Sequence, residues 1–95
     1  MITHVVLYKL KENTREVRQK MIETFYSMKG KIPALLDIKA GADFLGANRS
    51  FDVALICKYE SREKLEEYVE HPAHLSVKEY VRGVTEKSHS VDFEE

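Results

Sequence analysis

The sequence predicts an α+β domain in which four strands and two helical regions follow the order β-α-β-β-α-β. Three observations carry that reading. Residues 2 to 10 and 51 to 59 alternate with a period of two, two stretches between strands repeat apolar residues at three- and four-residue spacings, and Pro72 interrupts the second of those stretches. At 95 residues the chain is expected to form a single domain, 1–95, close to the size at which one core suffices only with help from association.

The opening strand places Ile2, His4, Val6, Tyr8 and Leu10 on one face and Thr3, Val5, Leu7 and Lys9 on the other. Asn13-Thr14-Arg15-Glu16 has the form of a capping box with Asn at its first position. The helix expected after it carries Val17, Met21, Phe25 and Met28, with Ile22 widening the stripe, and Gly30 and Pro33 end it. A second strand is expected from about Leu35 to Phe44, followed by the turn-rich run Gly46-Ala47-Asn48-Arg49-Ser50. The third strand, 51 to 59, turns Phe51, Val53, Leu55, Cys57 and Tyr59 one way and Asp52, Ala54, Ile56 and Lys58 the other.

Ser61 is a suitable N-cap for a helix bearing Leu65, Tyr68 and Val69. Pro72 has no amide hydrogen and pushes His71 out of the α region, so this helix should stop near His71. A short further helix should then carry Leu75, Tyr80 and Val81, with Gly83 loosening its end and the last strand running from Glu86 to Phe93. The resulting order is the ferredoxin-like one, an antiparallel sheet with helices on one face. Two helical regions cover only one face of such a sheet, yet Val5, Leu7, Ala54 and Ile56 make the other face apolar as well. A face-to-face homodimer is the simplest way to cover it.

Composition excludes several function classes. Fifteen basic residues against sixteen acidic ones leave a formal net charge of −1, which provides no field for nucleic acid or anionic lipid. Met1-Ile2-Thr3-His4 lacks the basic-then-apolar order of a secretion signal, and no apolar run approaches a membrane span, so a cytoplasmic location is expected. The single cysteine, Cys57, lies in an apolar run and is expected to be a reduced, buried thiol. No metal site is expected, because the proline between His71 and His74 breaks the face that would aim both at one ion.

Chemistry is concentrated in Glu67-Tyr68-Val69-Glu70-His71-Pro72-Ala73-His74, which gathers one phenol and two imidazoles around the helix break. His74 falls in the first turn of the new segment and can point back toward Tyr68, in the last turn of the preceding helix. The two side chains could then share a pocket. The competing structural roles are ordinary ones: a histidine near a helix terminus is favourable against the macrodipole, and a tyrosine on an amphipathic helix is commonly a core residue.

Four runs together carry a family resemblance: His4-Val5-Val6-Leu7-Tyr8-Lys9-Leu10-Lys11, Ile32-Pro33-Ala34-Leu35, Phe51-Asp52-Val53-Ala54-Leu55-Ile56 and, most specific, the Glu67 to His74 run. Over essentially its whole length the chain resembles the stress-responsive dimeric α/β barrel (Dabb) family. That resemblance implies a ferredoxin-like protomer, a homodimer whose two sheets form a barrel, and a role that is unassigned for most members. One branch similar in motif comprises plant polyketide cyclases, which close a ring by aldol condensation with loss of carbon dioxide, using a histidine and a tyrosine and no metal or organic cofactor. Position by position, the resemblance implies His74 as general base, Tyr68 as donor to the carbonyl that gains charge, and His4 on the pocket wall.

The pocket expected around them takes Val6 and Tyr8 from the first strand, Met21, Ile22 and Phe25 from the first helix, Leu55 and Cys57 from the third strand, and Val69 beside Tyr68. Lys78 and Glu79 follow His74, and whichever turned inward would charge this wall. His89 matches no catalytic position. Three function classes stay open on these residues: a non-catalytic stress-response dimer binding a small ligand, a cofactor-free lyase or cyclase acting on a small apolar or aromatic carbonyl compound, and a monooxygenase related by fold.

Overall fold

The computed structural model describes residues 1–95. It contains β1 (Ile2–Leu10), α1 (Arg15–Tyr26), β2 (Asp37–Ala42), β3 (Val53–Tyr59), α2 (Arg62–Glu70), α3 (Pro72–Val84) and β4 (Thr85–Glu94). The four strands form one antiparallel sheet in the order β2-β3-β1-β4. This is the ferredoxin-like α+β arrangement. No helix is long and apolar enough to cross a membrane.

Alternation along β1 and β3 sorts the core. Ile2, Val6, Tyr8 and Leu10 join Val53, Leu55, Cys57 and Tyr59 on the covered face, where Met21 and Phe25 of α1, Tyr68 of α2 and Val77 and Val81 of α3 pack onto them. The opposite face is built in rows. Val5 sits between Ile56 and Val91, and Leu7 between Ala54 and His89. Leu7, Ile56, Val91 and Phe93 remain 39 %, 37 %, 55 % and 43 % exposed in the isolated chain. Phe44, in the loop after β2, is 97 % exposed.

Several boundaries differ from the sequence expectation. Thr14, not Asn13, caps α1, its Oγ1 accepting from the Val17 amide at 3.2 Å. Asn13 is used elsewhere: its Nδ2 donates to Asp52 Oδ1 at 3.0 Å, while its Oδ1 accepts from Arg18 at 2.7 Å. Met28 lies beyond the end of α1 yet is fully buried, because the chain turns back through Gly30, whose φ of 80° is one that a side chain resists.

β2 is shorter than expected, with Leu36 and Phe44 outside it and exposed. β3 starts at Val53, so Phe51 and Asp52 escape the strand alternation. Phe51 packs 5.1 Å from the His89 ring on the uncovered face, and Asp52 is buried. The last helix is a 13-residue element running through Gly83 directly into β4, and Leu75 lies on its exposed side.

Asp52 ties the end of β1 to the loop before α1. Its Oδ2 accepts from the Leu10 amide at 2.9 Å, its Oδ1 from Asn13, and Lys9 Nζ lies 3.6 Å away. A buried carboxylate is tolerable only with partners of this kind. Replacing Asp52 with Ala would orphan the buried Leu10 amide. The expected cost is roughly 1–3 kcal/mol of unfolding free energy, read as a lower urea midpoint with unchanged slope.

Candidate functional site

The α2–α3 junction positions the site. Ser61 starts α2 by accepting from the Lys64 amide at 3.3 Å. At the other end His71 has ψ of 135°, the extended conformation that a following proline imposes. His71 also caps α3: its Nδ1 accepts from the Ala73 amide at 3.1 Å, and Pro72 occupies the first helical position, where a missing amide hydrogen costs nothing. The acceptor nitrogen of the neutral His71 imidazole is thereby used by the backbone. Three residues on, His74 turns back over α2.

There its Nδ1–H donates to the Val69 carbonyl at 3.0 Å, because a carbonyl oxygen can only accept. This leaves the lone pair on Nε2. The ring sits 4.3 Å from the Tyr68 ring, centroid to centroid, with planes tilted by 41°. Tyr68 is buried, and its ring also packs 5.0 Å from that of Tyr59. The Tyr68 hydroxyl lies among the Met28 sulfur, at 3.9 Å, the Tyr59 hydroxyl and the Cys57 thiol. Both sulfurs are weak acceptors and the Tyr59 hydroxyl makes no hydrogen bond, so the Tyr68 O–H remains available to a better acceptor.

Tyr68, His74 and His4 line one cavity of about 490 Å³ between α2–α3 and the β1–β4 half of the sheet. Val6, Tyr8, Phe25, Leu55 and Val69 line it as well. Met21, Ile22 and Cys57, expected on the same wall, do not. Met21 and Cys57 lie one layer deeper in the packed core and are wholly buried, while Ile22 packs against that core from α1. Helix and strand periodicity place a residue on the covered face; they do not say which part of that face is left open.

The sequence reading missed the β4 side. β4 pairs with β1 so that Ser90 stands beside Val6, Ser88 beside Tyr8 and Asp92 beside His4. Ser88 and Ser90 form a polar wall of the cavity, and the Asp92 carboxylate hydrogen-bonds His4 Nδ1. Period-two alternation from the β4 end could have flagged these residues, but their partners depend on the β1–β4 register. On α3, Lys78 lines the cavity and Glu79 does not; Arg82, one turn further, lines it too.

Electrostatics favour neutral forms of the central pair. Burial is the main cause that holds the His74 imidazolium below its usual range, and the nearby Lys78 and His4 act in the same direction, against the Val69 hydrogen bond. Burial, foremost, pushes the Tyr68 phenol well above its usual value, so it is a proton-bearing donor at neutral pH. Burial likewise pushes the Cys57 thiol up to about 11, leaving it protonated.

The model of the stress responsive A/B barrel domain family matches residues 2–95. The chain is 27 % identical over 89 residues to olivetolic acid cyclase of Cannabis sativa, covering 90 % of this chain and 88 % of the relative. Among solved structures it is similar to a dimeric ferredoxin-like protein of unknown function from Thermobifida fusca. That likeness has a TM-score of 0.86 at 22 % identity and covers 97 % of this chain and 88 % of the other. A dimeric protein of unknown function and ferredoxin-like fold from Bacteroides fragilis gives a TM-score of 0.85 at 21 % identity, with 99 % and 95 % covered.

The charge environment of His74 can be measured directly. An NMR titration should give His74 a midpoint below its ordinary value of 6.5. Lys78→Ala should raise that midpoint by removing a like charge. Because the folded value is depressed, the unfolded chain binds the extra proton between the two midpoints. His74 therefore supports the fold fully above pH 6.5 and progressively less as pH falls through its folded midpoint.

Proposed function

The chain belongs to the stress-responsive A/B barrel domain family, and on that premise we propose that it is a homodimer that binds a small apolar or aromatic carbonyl compound and performs cofactor-independent acid/base chemistry on it. The observation that carries this reading is the pairing of a neutral His74, its Nδ1 anchored to Val69 and its Nε2 unengaged, with the weakly engaged Tyr68 hydroxyl on one cavity wall. Similarity to olivetolic acid cyclase supports the choice of substrate class.

In the proposed reaction His74 Nε2 removes an acidic proton from a carbon between two carbonyls, forming an enolate. The Tyr68 hydroxyl donates to the oxygen that gains charge, inside an apolar surround of Val6, Phe25 and Leu55 that strengthens the bond. The enolate carbon attacks a second carbonyl of the same chain, and the imidazolium returns the proton to the new alkoxide. A base with a depressed midpoint is unprotonated at neutral pH, which is the form this step needs. His4, held by Asp92, completes the polar end of the wall.

A thermal-shift screen of aromatic and β-polyketone acids would select a substrate candidate. On a compound so found, His74→Ala should lower kcat by roughly 10² to 10⁴, the usual contribution of a positioned base, without loss of fold. Tyr68→Phe keeps the ring contacts with Tyr59 and His74 and should cost about 10² to 10³ in kcat through the lost donor. An unchanged kcat in His74→Ala would overturn His74 as the base, and no turnover of any bound compound by the wild type would leave a ligand-binding protein without catalysis.

The homodimer rests on the uncovered face, where Val5, Leu7, Ile56, Val91 and Phe93 form a continuous apolar surface. Dimeric solved structures of the same fold support a second copy as its cover. Light scattering at micromolar concentration should give twice the 11.0 kDa chain mass. Leu7→Lys should shift the equilibrium to monomer, since it buries a charge at the centre of the interface.

A further inference from the structure

The cavity wall is asymmetric in charge. Lys78 and Arg82 stand four residues apart on α3, on the one face of that helix that borders the cavity. Neither makes an ion pair within the protein. Glu86 is the one carboxylate on the lining, and it pairs with neither of them. Lys87 also borders the cavity, but its ammonium lies 5.8 Å from the centroid of the Phe51 ring on the far side of the sheet. Two unpaired cations thus flank a largely apolar cavity in a chain whose net charge is −1.

Helix electrostatics account for only part of this. Arg82 lies in the last turn of α3, where a cation is favourable against the macrodipole. Lys78 lies mid-helix, next to His74, where its charge opposes protonation of the imidazole. A cation so placed works against a base that must accept a proton, unless a bound anion offsets it.

Building on the acid/base reading of the cavity, we infer that Lys78 and Arg82 form an anion clamp at its mouth, so that the ligand carries a carboxylate or phosphate at one end and its apolar or aromatic carbonyl body on the floor formed by Val6, Phe25 and Leu55. A guanidinium takes either anion through two parallel N–H donors, and the lysine adds a point charge. Ser88 and Ser90 on the β4 wall supply uncharged hydroxyls between the clamp and the His4 end.

The test uses three probes on the full chain by calorimetry: 2,4-dihydroxybenzoate, its uncharged methyl ester and phenyl phosphate. At low salt the wild type should bind at least one anionic probe roughly ten times more tightly than the ester, a difference that screening by about 0.5 M salt reduces. Whichever anion binds better identifies the carboxylate or the phosphate as the clamped group. In Lys78→Gln/Arg82→Gln, the preference for the anion should vanish while ester affinity stays the same. Both side chains are exposed, so the variant should keep its melting temperature. As a second readout, the bound anion should raise the His74 NMR midpoint in the wild type and not in the variant. Equal affinity for acid and ester in the wild type would overturn the clamp while leaving the apolar cavity reading intact. Binding of none of the three would overturn both.

Discussion

A four-stranded sheet has two faces and this chain has helices for only one. Everything functional follows from how the covered face is closed. Over most of β3 and the adjoining half of β1 the helices close the sheet, burying Cys57 and Tyr59 in one core with Met21, Phe25 and Tyr68. Over β4 they do not reach, and every residue of that strand after Thr85 is exposed. The cavity occupies that gap. On the opposite face the same shortage leaves the row of Ile56, Val5 and Val91 in water. Fully burying an aliphatic side chain is worth roughly 1.5–3 kcal/mol, so a second copy over this face would be a large stabilising term for a chain of this size.

The second constraint is the single proline between α2 and α3. An uninterrupted helix would put residues 68 and 74 on different sides, since six residues make about one and two-thirds turns. The break at His71 redirects the chain, and His71 stabilises both ends of the break by its extended backbone and its bond to the Ala73 amide. This frees His74 to lie back on Tyr68 and reach the Val69 carbonyl. Of the two histidines near Pro72, His71 thus spends its acceptor nitrogen on the backbone, while His74 donates to the backbone and keeps the Nε2 lone pair free.

Around that pair the protein trades solvation for neutrality. Burial makes both the imidazolium and the phenolate unfavourable, which leaves a neutral base beside a neutral donor. The polar side chains of the cavity are distributed around its edge: His4 with Asp92 and the two serines on the strands, Lys78 and Arg82 on α3. Charge enters the site from α3, the helix whose length the sequence pattern understated.

Much was legible in the residues alone. The alternation in β1 and β3, the Ser61 cap and the Pro72 break determined the element order, the sorting of residues between the two sheet faces and the joint appearance of Tyr68 and His74, because each is a local steric or hydrogen-bonding rule acting over a few residues. Local rules misjudged Asn13 and Asp52. They read as a cap and an outward strand residue, but they bond one another across 39 positions. Only the tertiary structure decided the pairing of His4 with Asp92, the exclusion of Met21 and Cys57 from the cavity and the presence of Lys78 and Arg82 on its wall. Those depend on strand register and on how far the helices extend over β4, quantities set by packing between distant segments that no local periodicity encodes.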